Sequence, residues 1–318
     1  MSSWWDKHQA ALYLAALAAG ALLGLLAGGT AGFWQAVMPP ALVLLLFATF
    51  LGIPLLSLGQ AFRDLKFLAW LLGLNFILMP LAAWLLSRLV AGTPGLLAGV
   101  LLVLLCPCVD YVVVFTALAG GAKDKLLAAT PLLMAAQMLL LPLYLRLMGG
   151  RQLAAAVDYG QFGQAFAAYI LLPLAAAALV QFLCRRYRAA RAVSGIAAQS
   201  MVPVMMLVLL AVVASQLPAL AGALGQLAPV FGLFALFAVT GVLAGLGAGK
   251  LARLPAAGHK ALVFSATTRN SLVVLPLALA LPAGFELAPL AVVAQTLVEL
   301  CCLVAMVRLL PRLIGTPE

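Results

Sequence analysis

Long apolar stretches separated by short polar gaps dominate this sequence and leave few folds open to it. Charged residues make up only 8% of the chain, whereas soluble domains average about 25%. No gap is long enough for a soluble domain. The sequence therefore predicts an all-α integral membrane protein, a single membrane domain over residues 1–318 that lies in the lipid bilayer. Windows of about 20 apolar residues, the length that spans a bilayer as a helix, occur near 11–28, 37–59, 67–90, 95–119, 126–148, 162–183, 199–219, 227–249, 261–282 and 287–310.

The basic residues are distributed unevenly over the gaps between these ten segments. Fourteen Lys and Arg fall on one side, only Arg88, Arg146 and Arg151 on the other, and Arg269 lies inside the ninth segment. Basic residues accumulate in cytoplasmic loops, so we expect a multi-pass protein of the plasma (inner) membrane with both termini in the cytoplasm. This distribution also accounts for the net charge of +10 without a nucleic-acid partner.

The first apolar run is predicted to be a membrane span rather than a cleaved signal peptide. It follows Asp6-Lys7-His8 and continues too long for the apolar region of a signal peptide.

Ten segments with a long linker after the fifth suggest two halves of five, the second inserted upside down. Repeat one would cover about 9–148 and repeat two about 162–311. At a constant offset, Pro131 and Gln137 align with Pro289 and Gln295. Interrupted segments at corresponding positions of two such halves indicate the binding site of an inverted-repeat secondary transporter.

Two polar clusters interrupt apolar segments near their centres, Cys106–Asp110 in the fourth and Thr267–Ser271 in the ninth. Ionisable residues inside a membrane are costly and by default indicate function. Pro107 removes a backbone donor, so the fourth segment is predicted to kink or unwind there. The freed backbone groups are tolerated only where protein or a wet cavity satisfies them.

Three ionisable side chains lie near the middle of these segments. Arg269 forks to carboxylates and oxyanions, and Asp110 is its predicted partner; the alternative is a structural salt bridge without contact to a substrate. A carboxyl group in an apolar setting can load and release a proton near neutrality, so Glu299 and Asp110 are candidate proton carriers. The alternative for Glu299 is a protonated, hydrogen-bonded side chain with a packing role.

Amide and thiol side chains complete the candidate site. Asn270, Gln137 and Gln295 could line a cavity, although the glutamines could equally tie helices together, which is the predicted role of Asn75. Cys108, and also Cys106, could bind a soft metalloid such as trivalent arsenic or antimony; otherwise a free cysteine behaves as a small hydrophobic residue.

Enzyme chemistry is not expected of this sequence. It contains no zinc-ligand spacing and no nucleotide-binding loop or hydrolase motif. We therefore expect a protein that is not an enzyme, has no cofactor, and takes its energy from a proton or sodium gradient or transports passively.

At these clusters the chain resembles the bile acid/arsenite/riboflavin transporter superfamily over essentially its whole length. The resemblance implies ten spans in two inverted five-span repeats, with crossed, unwound fourth and ninth helices. Trp5-Asp6-Lys7-His8 is similar to the start of the arsenical-resistance permeases, and Pro107-Cys108 to the Pro-Cys of their fourth span. That match implies Cys108 as the metalloid ligand.

The chain also resembles the bile acid:sodium symporter branch. That branch has Pro-Gly-Gly in the fourth span and Glu-x3-Gln-Asn in the ninth, which help to hold sodium. Here Asn270 matches the Asn, while Arg269 replaces the Gln and Ser265 the Glu. Because a guanidinium repels sodium at close range, we expect at least one sodium site to be lost, with Arg269 as a built-in counter-cation.

The first functional hypothesis is efflux of arsenite or antimonite coupled to protons, with Cys108 on the metalloid and the Asp110–Arg269 pair gating or coupling transport. The neutral form of trivalent arsenic needs no Arg, which counts against it. The alternative is sodium- or proton-coupled symport of a small organic anion whose carboxylate Arg269 binds. A third hypothesis, a membrane scaffold or sensor without turnover, is disfavoured by the cost of unused buried charges.

Overall fold

The computed structural model describes residues 4–26, 28–52, 64–109, 111–150, 166–184 and 186–315, together with residues 153, 160 and 164. Over these residues the chain is helical and forms no strand, which confirms the predicted all-α fold. The helices are α1 Trp4–Leu26, α2 Ala31–Gly52, α3 Leu65–Val90, α4 Pro94–Leu104, α5 Tyr111–Leu118, α6 Lys123–Met148, α7 Ala167–Leu183, α8 Arg188–Gly222, α9 Leu224–Leu251, α10 Ala256–Thr267, α11 Ser271–Leu279 and α12 Leu287–Ile314.

Over the described residues, each predicted apolar segment overlaps one helix or one pair of helices. The fourth segment is the pair α4 and α5, and the ninth is the pair α10 and α11. Within the described part of the chain, six helices, α2, α3, α6, α8, α9 and α12, are long and apolar enough to cross a membrane by length and composition alone. Ten crossings and the inverted repeat stay predictions.

Helix α8 begins at Arg188, well before the predicted start of the seventh segment at residue 199. Arg188 and Arg191 are exposed on its first turns. Arginine is a good helix former, so the helix continues past the apolar run from which the segment was predicted.

The described chain forms two compact units. Unit 1 comprises Met1–Leu56 and Tyr159–Gln226, and unit 2 comprises Ser57–Asp158 and Leu227–Glu318. Each unit therefore takes residues from both predicted repeats. In unit 1, α1 and α2 pack along α8, and α7 packs on α2.

Unit 2 is built around the two interrupted segments. α12 packs against α4, α10 and α11, while α10 also contacts α3, α5 and α6. Residues 95–109 and 258–278 are buried without exception. Segments that expose no face lie in the interior, and here these two segments form the core of the unit.

Close packing of α9 on α10 depends on three glycines. Gly241, Gly245 and Gly249 are four residues apart and share one face of α9. A Cβ on Gly241 would lie 2.9 Å from the Ala266 carbonyl oxygen, and one on Gly245 would lie 2.6 Å from the Val263 Cα. Small residues at this spacing let helix backbones approach closely in membranes.

Candidate functional site

The breaks in the two interrupted segments cross in the core of unit 2. Pro107 and Arg269 pair as an isolated antiparallel bridge. The Cys108 amide donates to the Thr268 carbonyl at 3.2 Å, and the Asn270 amide donates to the carbonyl of the residue before Pro107 at 2.8 Å. Backbone groups freed by each break are thus satisfied by the other break, which membrane depth requires.

The second break is made by polar side chains. The Thr267 and Thr268 hydroxyls each donate to a carbonyl four residues earlier, at 2.9 Å, a bond that bends helices. Asn270 then caps α11, its Oδ1 accepting from the Val273 amide at 3.2 Å. The segment thus ends one helix and starts the next without a proline at the break.

Arg269 is the largest fully buried side chain, with 0% exposure. Its Nη2 donates to the Ala266 carbonyl at 2.5 Å, and its guanidinium carbon lies 5.1 Å from the centroid of the Phe237 ring, within range of a cation–π interaction. Phe237 is four residues before Gly241 on α9, on the face that packs on α10. The predicted partner Asp110 lies outside the described residues, so that pair stays a prediction.

Glu299 joins α12 to the crossing. Its Oε2 accepts from the Arg269 amide at 2.7 Å and from Gln295 Nε2. Both α12 side chains are buried, at 3% exposure each. A narrow cavity of about 10 Å³, room for about one water molecule, is lined by Leu104, Phe234, Phe237, Ala238, Thr267, Gln295, Val298 and Glu299.

The structure brings together most, but not all, of the residues singled out from the sequence. Cys108 and Asn270 are buried at the crossing, as is Cys106. Gln137 is buried in α6, and its Oε1 accepts no hydrogen bond from the described residues; no hydrogen bond of the described chain links it to the crossing. The roles assigned to these residues stay predictions. Among the described residues, no group of His, Cys, Asp and Glu could hold a metal ion.

Several contacts were not predicted from the sequence, among them the bond from the Arg269 amide to Glu299. The Phe237 ring under Arg269 carries no local signal, because one aromatic residue in an apolar helix is ordinary. Asn75 does tie helices together, as expected, but its partner was not foreseen: Nδ2 donates to Ser265 Oγ at 2.9 Å and to the Leu71 carbonyl at 3.0 Å. By the resemblance described above, Ser265 would stand where the bile acid:sodium symporter branch has Glu.

Comparison with known families identifies the chain. The sequence model of the Sodium Bile acid symporter family matches residues 39–222, more than half of the 318 residues. The matched region contains Pro107 and Cys108 and ends before the second break. No curated protein matches the chain. The match agrees with the superfamily resemblance read from the motifs. This chain therefore belongs to the sodium bile acid symporter family, whose members are transporters.

Proposed function

We propose that this protein is a secondary active transporter of a small organic anion, coupled to protons rather than to sodium, with the crossing in unit 2 as its binding site. The observation that carries the proposal is a permanent cation, Arg269, fully buried beside polar groups at the start of α11. Family membership supports solute transport, and the buried cation supports an anionic solute.

Donor groups beside Arg269 favour an anion. Asn270 Nδ2 and the Ser271 hydroxyl are buried and have no hydrogen-bond partner among the described residues. They lie at the N-terminus of α11, where the helix dipole favours negative charge. Buried donors without acceptors are costly, and a carboxylate held between these groups and the guanidinium would satisfy them.

Glu299 provides a reason for proton coupling. Its carboxyl group accepts from the Arg269 amide, so it lies in the field of the guanidinium that would bind the substrate. A second anion near one carboxylate favours its protonation. Binding of substrate and of a proton would then reinforce each other, and this coupling acts equally in both directions.

The second break also supports a departure from sodium coupling. Ser265 replaces the acidic residue of the related symporters, and its hydroxyl accepts from Asn75. Arg269 places a fixed positive charge one turn further on, where sodium would be repelled. Ser265 and Arg269 together favour a site in which the Arg269 guanidinium, rather than a bound sodium ion, supplies the positive charge.

A second candidate is arsenite or antimonite efflux, favoured by the Cys108 thiol. This thiol is buried at the crossing, next to Pro107 and opposite Thr268. Trivalent arsenic binds thiolates, which are soft ligands. The neutral metalloid would use Cys108 rather than Arg269, so the two candidates depend on different residues.

Uptake into proteoliposomes tests the proposal. Taurocholate, a set of short carboxylates and arsenite would be offered with sodium and proton gradients imposed separately. We expect uptake of at least one carboxylate to follow the proton gradient without sodium, to be lost in Arg269→Gln, and to persist in Arg308→Gln, which removes an exposed cation of α12. Uptake driven only by sodium contradicts proton coupling. Arsenite flux that requires Cys108, with no carboxylate uptake, would establish the second candidate.

A further inference from the structure

An apolar groove lies on unit 2 between α3 and α9. It has a volume of about 270 Å³ and is lined by Ala69, Trp70, Gly73, Leu74, Leu78 and Ala248. These residues belong to unit 2 alone, and no polar side chain lines the groove. The groove is separate from the crossing and takes no part in the proposed transport chemistry.

Gly73 keeps this groove open. It lies inside α3 with φ of −58°, a conformation that every residue adopts, and apart from its neighbours in the helix no described atom lies within 4 Å of where its Cβ would be. Glycine weakens a helix interior relative to alanine. Neither the backbone conformation nor close packing requires glycine at this position. The consequence of the missing side chain is therefore the space in the groove.

One cation lies at the N-terminal end of the groove. Lys66 precedes Ala69 and Trp70 by three and four residues, so it is on the same face of α3. It is exposed and forms no hydrogen bond or salt bridge with the described residues. The acid closest to it in sequence, Asp64, is paired with Lys125 at 2.5 Å.

A second cation is fixed where α9 ends. Arg253 has φ of 49°, in the left-handed region that favours glycine. The turn is closed by two bonds, from the Arg253 amide to the Lys250 carbonyl at 3.0 Å and from the Leu254 amide to the Gly249 carbonyl at 3.1 Å, the pattern of a helix-ending Schellman motif. An exposed arginine held in a strained conformation points to a function for its charge.

We propose that this groove binds an acyl chain of an anionic phospholipid whose phosphate lies against Lys66 and Arg253. From Ala69 to Leu78 the groove follows about 14 Å of helix at 1.5 Å per residue. This length is close to half of the roughly 30 Å hydrocarbon core. Both cations belong to the basic set predicted to face the cytoplasm, and anionic lipids of that leaflet attract basic residues.

Native mass spectrometry of the full chain in mild detergent tests the groove. Phosphatidylglycerol and phosphatidylcholine with identical acyl chains would be added separately. We expect one retained phosphatidylglycerol and a preference of at least about fivefold over phosphatidylcholine, the effect of one basic residue near anionic lipid. Gly73→Leu should fill the groove and abolish this retention. Ala176→Leu, in the apolar groove of unit 1 between α2 and α7, should leave it unchanged.

A second variant tests whether the two cations are needed for lipid selectivity. Lys66→Gln combined with Arg253→Gly removes both cations and gives the left-handed turn its preferred residue. We expect this variant to lose the preference for phosphatidylglycerol while retaining phosphatidylcholine as the wild type does. Lys123→Gln, which removes an exposed cation at the start of α6, should keep the preference.

Three results would overturn the lipid site. The first is equal retention of the two lipids by the wild type. The second is undiminished phosphatidylglycerol in a folded Gly73→Leu. The third is a dimer that Gly73→Leu dissociates, because a second copy would then be the occupant. None of these results depends on transport activity.

Discussion

The two breaks at the crossing are made in opposite ways. The first has a proline between two buried cysteines and is bonded to the second through its backbone, whereas its Asp110 lies outside the described residues. The second has no proline between Thr267 and Ser271, and its threonines and Asn270 bond to the helices on either side. A proline interrupts a helix because it has no backbone N–H to donate. A capping residue marks the end of a helix because its side chain bonds to backbone groups that are free there.

This difference divides the chemistry between the two breaks. The second break contributes the buried cation, the amide and the hydroxyls of the proposed anion site, and the described part of the first, residues 106–109, contributes thiols and backbone. Side chains that cap a helix are already at its N-terminus, where an anion is favoured. We therefore expect the second break to bind the substrate, and the first break to maintain the geometry of the crossing.

Removal of the cation should have the largest effect. Arg269→Gln deletes the permanent charge but keeps a donor of similar length, so uptake should fall about 100-fold, equivalent to about 3 kcal/mol of charge-assisted hydrogen bonding. Initial rates in proteoliposomes measure it. Rates within threefold of the wild type would mean that the second break is structural, like the first.

Glu299→Gln should remove the pH dependence of uptake. The amide resembles the protonated acid, so a variant that still binds substrate should transport at a rate independent of the proton gradient. We expect about a tenfold loss of gradient-driven accumulation, roughly the effect of 1.4 kcal/mol of coupling. Exchange of labelled for unlabelled substrate, which needs no gradient, is the control. Unchanged pH dependence would exclude Glu299 as the proton carrier.

Asn270→Ala should lower stability by about 1 kcal/mol, because α11 loses its cap. It should also reduce uptake, because the proposed anion site loses the amide donor. Asn270→Ser separates the two effects, because serine can cap the helix but has no amide donor. Thermal unfolding in detergent should therefore be close to wild type in Asn270→Ser while uptake is still reduced. Full uptake in this variant would remove the amide from the anion site.

Pro107→Ala should cost less than the cap variant, under about 1 kcal/mol. α4 already ends at Leu104, and the bonds of Cys108 and Asn270 hold the break open without the proline. Thermal unfolding and uptake check this expectation. A helical first segment and a collapsed crossing in Pro107→Ala would show that the proline, and not the opposing break, maintains the geometry.

Cys108→Ser should have the smallest effect on carboxylate uptake. The substitution keeps the size of a buried side chain and leaves Arg269, Asn270 and Ser271 in place, so uptake should stay within about twofold. Cys106→Ser is the matched control on the same break. A loss of uptake confined to Cys108→Ser, together with arsenite flux in the wild type, would favour the metalloid candidate.

Local features of the sequence predicted the positions of most helices and of both breaks. Apolar runs located the helices, Pro107 and the Thr267–Ser271 cluster located both breaks, and their crossing followed from the superfamily resemblance. No packing was predicted from the glycine spacing of α9, although residues four apart on a helix share a face and small ones mark close packing. The start of α8 at Arg188 was not predicted, because exposed arginines continue a helix beyond the apolar run that indicates a span.

The sequence by itself determined that the chain is helical, apolar and twice interrupted, because hydrophobicity and helix-breaking act within a few residues. Only the tertiary structure decided which groups meet. Glu299 reaches the Arg269 amide across 30 residues, Asn75 reaches Ser265 across 190, and Phe237 reaches Arg269 through the packing of α9 on α10. Such pairs depend on how segments remote in sequence pack together in three dimensions, and no local pattern encodes that.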